Sequence, residues 1–313
     1  MKRIISAVLC FAFFILLVSC SDKKVVSSGS SYTDVVDTTS EMSKEESKES
    51  QESVISESSE VSKTRDDELK KFFANRPDYG VGTNALLLEN IKVYVFFMDD
   101  YESVWTKQEI NAYLNVQIKP AFDFIEKEAK RYGVGLTVDY EAFGTALGKG
   151  QVIRYEGIVS DGSDGTHDLN PVDYAAHDIG YPNKAQMYYD LFEKNDYCEV
   201  VFLSVFNKSG ISYANMQYDD DSNGAIVESA VVFTSYLGYD FKLNENTHMA
   251  ATVAHEILHI YGASDLYSED VKEYAKSKYS DDIMLMDYRN IDEMKVGLYT
   301  AYAIGWREQP PKF

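Results

Sequence analysis

The chain has 313 residues, and 51 acidic against 30 basic side chains give it a formal net charge of −21. Such an acidic chain repels nucleic acid and anionic lipid headgroups, which argues against nucleic acid as a partner. Clefts on its surface would instead favour cationic ligands. The length allows one large folded domain or two small ones.

The first residues have the pattern of an export signal. Lys2 and Arg3 precede an apolar run over residues 4–18, which suits a signal peptide better than a membrane span of about 20 residues. The Leu-Val-Ser-Cys sequence at 17–20 resembles the bacterial lipobox. That resemblance implies cleavage before Cys20 and a lipid on its sulfur, hence an exported protein anchored to the outer face of the cell membrane. The alternative is an ordinary signal peptide with an incidental cysteine.

Residues 20–65 have the composition of a tether. Serine, glutamate and lysine dominate, and little apolar surface is available to offset the entropy of ordering the chain. Such spacers resemble those of Gram-positive surface lipoproteins. We therefore expect a signal peptide at 1–19, a disordered tether at 20–65 and one folded domain at 66–313, which we expect to be monomeric.

The folded part predicts strands that alternate with helices, followed by a mainly helical last third. We expect an α+β fold with a mixed, twisted sheet and helices packed on it. The first long helix begins with a capping box at residues 106–109 and has a break near Pro120. The predicted strands are 91–97, 136–140, 199–206 and 226–234, the predicted helices are 106–132 and 184–194, and a polar loop covers 160–182.

A further helix is predicted from Thr247 to Tyr261. Met249, Val253 and Ile257 recur at helical spacing and give the helix one apolar face. The sequence His-Glu-Ile-Leu-His at 255–259 lies within this helix, with its histidines directed away from the apolar stripe.

These histidines form the strongest candidate site. His255 and His259 are one helical turn apart, so both imidazoles can bind one cation, and zinc is the metal that this pattern favours. Glu256 lies between them in sequence and can act as a general base on a water activated by the metal. The alternative is two histidines on a solvated helix face.

The longer run over residues 255–265 resembles the metzincin branch of zinc peptidases, whose pattern is H-E-x-x-H-x-x-G-x-x-H. Asp265 stands where the last histidine would be, as in snapalysins and immune-inhibitor-A-like peptidases. The resemblance implies a zincin-like fold with Asp265 as the third ligand. Asp265 could instead cap a loop, and Glu273 or Asp282 could take its place as the ligand.

Metzincins also carry a methionine-containing turn beneath the metal. Residues 284–288, Met-Leu-Met-Asp-Tyr, resemble it. The resemblance implies that Met286 forms the floor of the site and that Tyr288 hydrogen-bonds the oxyanion. Met284 is a competing register, and either methionine could be part of the core.

Residues 219–224 match the first half of a calcium-binding loop. Asp219, Asp221 and Asn223 would supply oxygen ligands, but Ala230 stands where the loop requires a glutamate. A plain acidic turn is the alternative to a calcium site. The strand at 226–234 precedes the helix with the two histidines, as does the edge strand against which metzincin substrates pair. From this order alone, we hypothesise that a peptide substrate adds to that strand.

Together these observations predict a surface-anchored zinc endopeptidase that acts on proteins or peptides. Peptide deformylase also uses H-E-x-x-H but needs a cysteine ligand, and Cys198 lies in a predicted strand without the required glycine context. The other hypothesis is a surface-binding lipoprotein that has the same scaffold but no catalysis.

Overall fold

The computed structural model describes residues 67–74, 82–149, 151–168, 171–195, 198–215, 227–237, 247–269, 271–285 and 289–312. All of them belong to the compact unit Val54–Phe313. In this part of the chain, no helix is both long and apolar enough to cross a membrane.

Five strands form one sheet in the order β2-β1-β3-β5-β4. Four of them run parallel, and only β4 is antiparallel to its neighbour β5. The mixed sheet that the sequence predicts is confirmed. The strands are β1 (Ile91–Met98), β2 (Val138–Gly144), β3 (Glu199–Ser209), β4 (Tyr213–Asn215) and β5 (Ser229–Ser235).

Helices cover both faces of this sheet. One core cluster lies between the sheet and α3 and α6, and a second lies between the sheet and α4 and α5. Burial on both faces explains why β1 and β3 are almost continuously apolar. The helices are α1 (67–74), α2 (Lys107–Tyr113), α3 (Lys119–Arg131), α4 (Pro171–Asp178), α5 (Lys184–Lys194), α6 (His248–Ile260), α7 (Lys272–Lys278) and α8 (Leu298–Ala303).

The long first helix is continuous but irregular. Thr106 and Glu109 form the predicted capping box, and Gly133, at φ 80°, follows the last turn. In place of the predicted break near Pro120, the structure has a π-helical turn over Leu114–Ile118, and Pro120 follows it in the first turn of α3, where it has no N–H to donate to the preceding turn.

Several predictions from the sequence are wrong in detail. The polar loop predicted at 160–182 contains α4, because alanines and a valine give residues 171–178 a buried side. The second strand begins at Val138 rather than at 136 and continues to Gly144. The strand after residue 226 is not the sheet edge, since β4 pairs with its outer side. The helical crossovers between parallel strands also bring the fold nearer to alternating α/β than to α+β.

The beginning of α6 is held by distant side chains. Its N-cap residue Thr247 makes no side-chain capping bond. Instead the amide oxygen of Gln117, in the π-helical turn, accepts the Ala250 N–H at 2.8 Å. Asn290 Oδ1 accepts the Thr247 N–H at 3.1 Å. The irregular turn in the first long helix therefore fixes one end of the helix that carries the two histidines.

Replacing Gln117 by alanine should lower the free energy of unfolding by about 1–3 kcal/mol, because the buried Ala250 N–H loses its acceptor. Urea titration followed by circular dichroism measures this loss. Gln186→Ala, in the exposed part of α5, is the matched control and should change stability by less than about 0.5 kcal/mol. Equal effects of the two variants would contradict the role assigned to Gln117.

Candidate metal centre

The helix that carries both histidines is buried on nearly every side. Alanines at 250, 251 and 254 allow neighbouring elements to approach closely, and α6 packs against α3, β4 and β5. His255 is only 1% exposed, and the His259 side chain is 12% exposed. The alternative of two histidines on a solvated helix face is therefore wrong.

The structure brings His255, His259 and Asp265 together at one point. The two Nε2 atoms are 3.0 Å apart, and Asp265 Oδ1 lies 3.2 Å from His255 Nε2 and 3.1 Å from His259 Nε2. Ligands of a tetrahedral zinc ion at bond lengths near 2.0–2.1 Å are about 3.3 Å from one another. The three atoms thus have nearly the spacing of one face of a zinc coordination tetrahedron.

The orientation of each imidazole also fits a cation. His255 Nδ1 lies 3.1 Å from the Ile283 carbonyl oxygen, and His259 Nδ1 lies 2.6 Å from that of Ala263. Because a carbonyl only accepts, each Nδ1 carries a proton, and in the neutral imidazole each Nε2 directs a lone pair towards Asp265. Asp265 Oδ1 is buried and makes no hydrogen bond. Three acceptors that converge in this way fit a divalent metal.

A chain reversal after α6 delivers Asp265 to the histidines. Gly262 adopts φ 105°, a backbone conformation that favours glycine. The Gly262 and Ala263 N–H groups donate to the carbonyls of His259 and Leu258, which closes the end of the helix. The same reversal orients the Ala263 carbonyl towards His259.

The site is strongly charged for its depth. Burial lowers the pKa of His259, but the Asp265 carboxylate and Glu256 outweigh that effect, and the pKa is raised to about 8. Burial also opposes ionisation of Asp265, but the two imidazoles hold its pKa well below the ordinary range.

Glu256 lies on the same helix beside this cluster and is 4% exposed. Burial raises the pKa of its carboxyl, while the neighbouring histidines His255 and His259 lower it in part. Tyr213 of β4 is close enough for Glu256 to raise the pKa of its phenol, in addition to the effect of burial. The general base predicted from the sequence therefore lies within electrostatic range of β4, which packs against α6.

The two alternative third ligands lie elsewhere. The Asp282 carboxylate is buried and accepts the N–H groups of Met284 and Gly297 and the Thr300 hydroxyl. Glu273 is exposed on α7, where it pairs with Lys276. Among the described residues, Asp265 is the carboxylate that meets both histidines.

Other predicted site residues lie outside the described residues. These are Cys20, Asp219, Asp221, Asn223, Met286 and Tyr288. Met284, the competing register of the methionine turn, is described. It is fully buried, and its carbonyl accepts the Leu266 N–H at 3.0 Å, directly after Asp265.

Two further residues contribute in ways that were not predicted: Tyr267, and Asp282, which was predicted only as an alternative ligand. The Tyr267 ring stacks on His255, with centroids 6.3 Å apart and planes 20° apart, and remains 41% exposed at the site. Asp282 supports the turn that supplies the Ile283 carbonyl. The only signal for Tyr267 in the sequence is that it lies two residues after Asp265, which places it near the candidate ligands. Nothing in the sequence identifies a backbone carbonyl as the partner of a histidine.

No family model matches this chain, and no curated protein matches it. Twelve solved chains do match. One is metalloproteinase-II from Bacteroides fragilis, with 13% sequence identity and a TM-score of 0.36. The match covers 77% of this chain and 61% of the metalloproteinase chain. The present chain therefore spans less than two thirds of the length of that metalloproteinase. Function is therefore inferred from the site itself.

Metal binding at this site should depend on pH. Below about pH 8, His259 carries a proton that the metal must displace. The apparent zinc affinity should therefore fall about tenfold for each pH unit below that value and level off above it. Competition with a chromophoric chelator between about pH 6 and pH 9 measures the slope.

Asp265→Asn serves as the control for this slope. It removes the carboxylate that raises the pKa of His259, so the pH at which the affinity levels off should move down, besides the loss of overall affinity. An affinity that is constant from about pH 6 to pH 8 would contradict protonation of His259 in the metal-free site.

Proposed function

We propose that this chain is a zinc-dependent endopeptidase of the metzincin-like kind, with His255, His259 and Asp265 as ligands. The convergence of their three ligand atoms at 3.0–3.2 Å, with both Nδ1 protons held by carbonyls, carries the proposal. One oxygen and two nitrogen ligands leave a fourth position for water, as a catalytic zinc site requires.

The chemistry follows from the residues around that position. When bound, zinc would lower the pKa of a water molecule and polarise the substrate carbonyl. Glu256 accepts the proton of the attacking water and then donates it to the leaving amine nitrogen. Its burial supports both steps, because a raised pKa makes the carboxylate a better proton acceptor than an exposed one. Burial of the site also excludes competing water.

The edge of the sheet offers a place for an extended substrate. Among the described residues, β4 pairs only with β5, and it packs against α6. A peptide that added to the other side of β4 would lie alongside the helix that carries Glu256. The acidic composition favours peptides with basic residues.

The cellular setting proposed here rests on residues 1–65. The apolar run and the lipobox-like sequence at Cys20 support export and a lipid anchor, with the tether holding the enzyme outside a bacterial membrane. The composition of the tether resembles that of Gram-positive surface lipoproteins, which favours a Gram-positive cell. A monomer acting on protein or peptide substrates is consistent with this arrangement.

Zinc stoichiometry tests the ligand set. The full chain, purified in detergent, should retain about one zinc ion, and Asp265→Ala and His259→Ala should each weaken zinc binding at least about 100-fold. Glu273→Gln is the matched control, since this exposed carboxylate lies outside the cluster, and should bind zinc normally. A folded wild-type protein that retains no zinc would exclude the metallopeptidase.

Glu256→Gln separates catalysis from metal binding. The variant should keep zinc but lose about 10²–10⁴-fold in kcat on a denatured protein or a mixed peptide library, because the amide cannot accept a proton. Zinc retention shows that the site itself is intact. If wild type and variant have the same cleavage rate, or if neither cleaves while both bind a surface partner equally, the non-catalytic binding protein becomes the better proposal.

A further inference from the structure

Two glutamates lie side by side at the amino edge of the sheet. Glu199 begins β3, and Glu228 directly precedes β5. The parallel register pairs Phe202 with Ser229, so Glu228 stands opposite Val201. Because side chains alternate along a strand, Glu199 and Glu228 project from the same face of the sheet, one diagonal step apart. That is the face on which α6 packs.

The segment before β1 encloses the Glu228 carboxylate. Glu228 Oε2 accepts the Thr83 hydroxyl at 3.0 Å and the Asn84 N–H at 3.1 Å. The Asn84 side-chain amide donates to the same oxygen at 3.5 Å. Gly82 allows this approach, because a Cβ there would lie 1.5 Å from Glu228 Oε1. The amide group of Asn84 therefore lies against the carboxylate.

Tyr261 approaches this pair of glutamates from α6, which packs on the same face of the sheet. It is the C-cap residue of α6 and is completely buried, with its hydroxyl beside the Glu199 carboxylate. Three buried oxygens in this region lack a hydrogen bond of good geometry: Asn84 Oδ1, and Glu199 Oε2 and Tyr261 Oη, which face each other only as a weak pair. Buried polar atoms are nearly always satisfied, so three orphaned oxygens together call for a partner.

In the part of the chain that the structure describes, no basic side chain neutralises the negative charge of this region. Glu89 and Glu228 are the charged neighbours of Glu199, and both are acidic. Burial raises the pKa of Glu199 to about 7 and also raises that of Glu228. Among the described residues, no lysine or arginine forms an ion pair with either glutamate.

We propose that Asn84, Glu199, Glu228 and Tyr261 form a second cation site, distinct from the histidine cluster and selective for a hard ion such as Ca²⁺. Two carboxylates, an amide carbonyl and a hydroxyl are oxygen donors only, which is the ligand set that calcium prefers and that zinc does not. A cation here neutralises the paired glutamates and satisfies the three orphaned oxygens at once.

The site would brace the metal centre without taking part in its chemistry. Tyr261 directly precedes Gly262, where the reversal that delivers Asp265 begins. A cation bound to the Tyr261 hydroxyl would fix the end of α6 to the sheet and to the segment that leads into β1. The inference does not depend on peptidase activity, since none of its four residues belongs to the histidine cluster.

The test is isothermal titration of the calcium-free, zinc-saturated full chain with Ca²⁺, together with thermal unfolding in its presence and absence. Wild type should bind with saturation and unfold at a higher temperature when calcium is added. Glu199→Gln keeps the shape but removes one charge, and should weaken binding at least about tenfold and abolish the thermal shift. Tyr261→Phe should weaken binding about three- to tenfold.

Two controls exclude the other candidate positions. Asp221→Asn alters the calcium loop predicted from the sequence, and Asp265→Asn, titrated without zinc beside zinc-free wild type, alters the histidine cluster; both should bind calcium as the matching wild type does. The inference is overturned if wild type binds no calcium at millimolar concentration. It is equally overturned if Glu199→Gln and Tyr261→Phe bind normally, or if calcium binding is lost in Asp221→Asn or Asp265→Asn instead.

Discussion

The geometry of the metal centre depends on two hydrogen bonds from imidazole to backbone. His255 Nδ1 is fixed by the Ile283 carbonyl and His259 Nδ1 by the Ala263 carbonyl. A helix alone places two histidines on one face, but it leaves each ring free to rotate about its χ angles. The carbonyls remove this freedom and determine which nitrogen faces the metal. Whatever positions these two carbonyls therefore positions the ligands.

The Ile283 carbonyl is supported by buried polar groups from other parts of the chain. Asp282 holds the turn that contains Ile283, through the Met284 and Gly297 N–H groups and the Thr300 hydroxyl. Next to Gly297 in the chain, the Val296 N–H donates to the Glu128 carboxylate of α3 at 2.9 Å. A buried carboxylate is costly unless it is hydrogen-bonded. Burial accordingly raises the pKa of Asp282 to about 7, even with three donors around it. The buried Asp282 carboxylate is unfavourable by itself, but its hydrogen bonds fix the backbone turn that contains Ile283.

The parts that the sequence predicts correctly are those fixed by local physics. The capping box at Thr106 and Glu109, the apolar strand β1 and the helix around His255 follow from residues within a few positions of one another. The π-helical turn, β4 and α4 do not, because each depends on packing against segments distant in sequence. The role of Asp282 illustrates the limit. Its spacing allowed it to be a ligand, and only the long-range contact with Thr300 makes it a brace. Asp265 was identified through resemblance to a family, whereas the structure reaches the same residue through the reversal at Gly262.

Amphipathicity gave an incomplete account of α6. Its apolar stripe predicted one buried face, but β4 and the turn at 283–285 cover the other faces as well. This second layer removes His255 and Glu256 from water, and burial is the main reason that the pKa of Glu256 is raised. An exposed helix with the same His-Glu-x-x-His sequence could still bind a metal, but its glutamate would be a weaker base and its site would remain open to solvent. The difference between an exposed His-Glu-x-x-His helix and this buried one therefore lies in residues that the motif does not contain, which include those of β4 and the buried carboxylate of Asp282 next to Ile283.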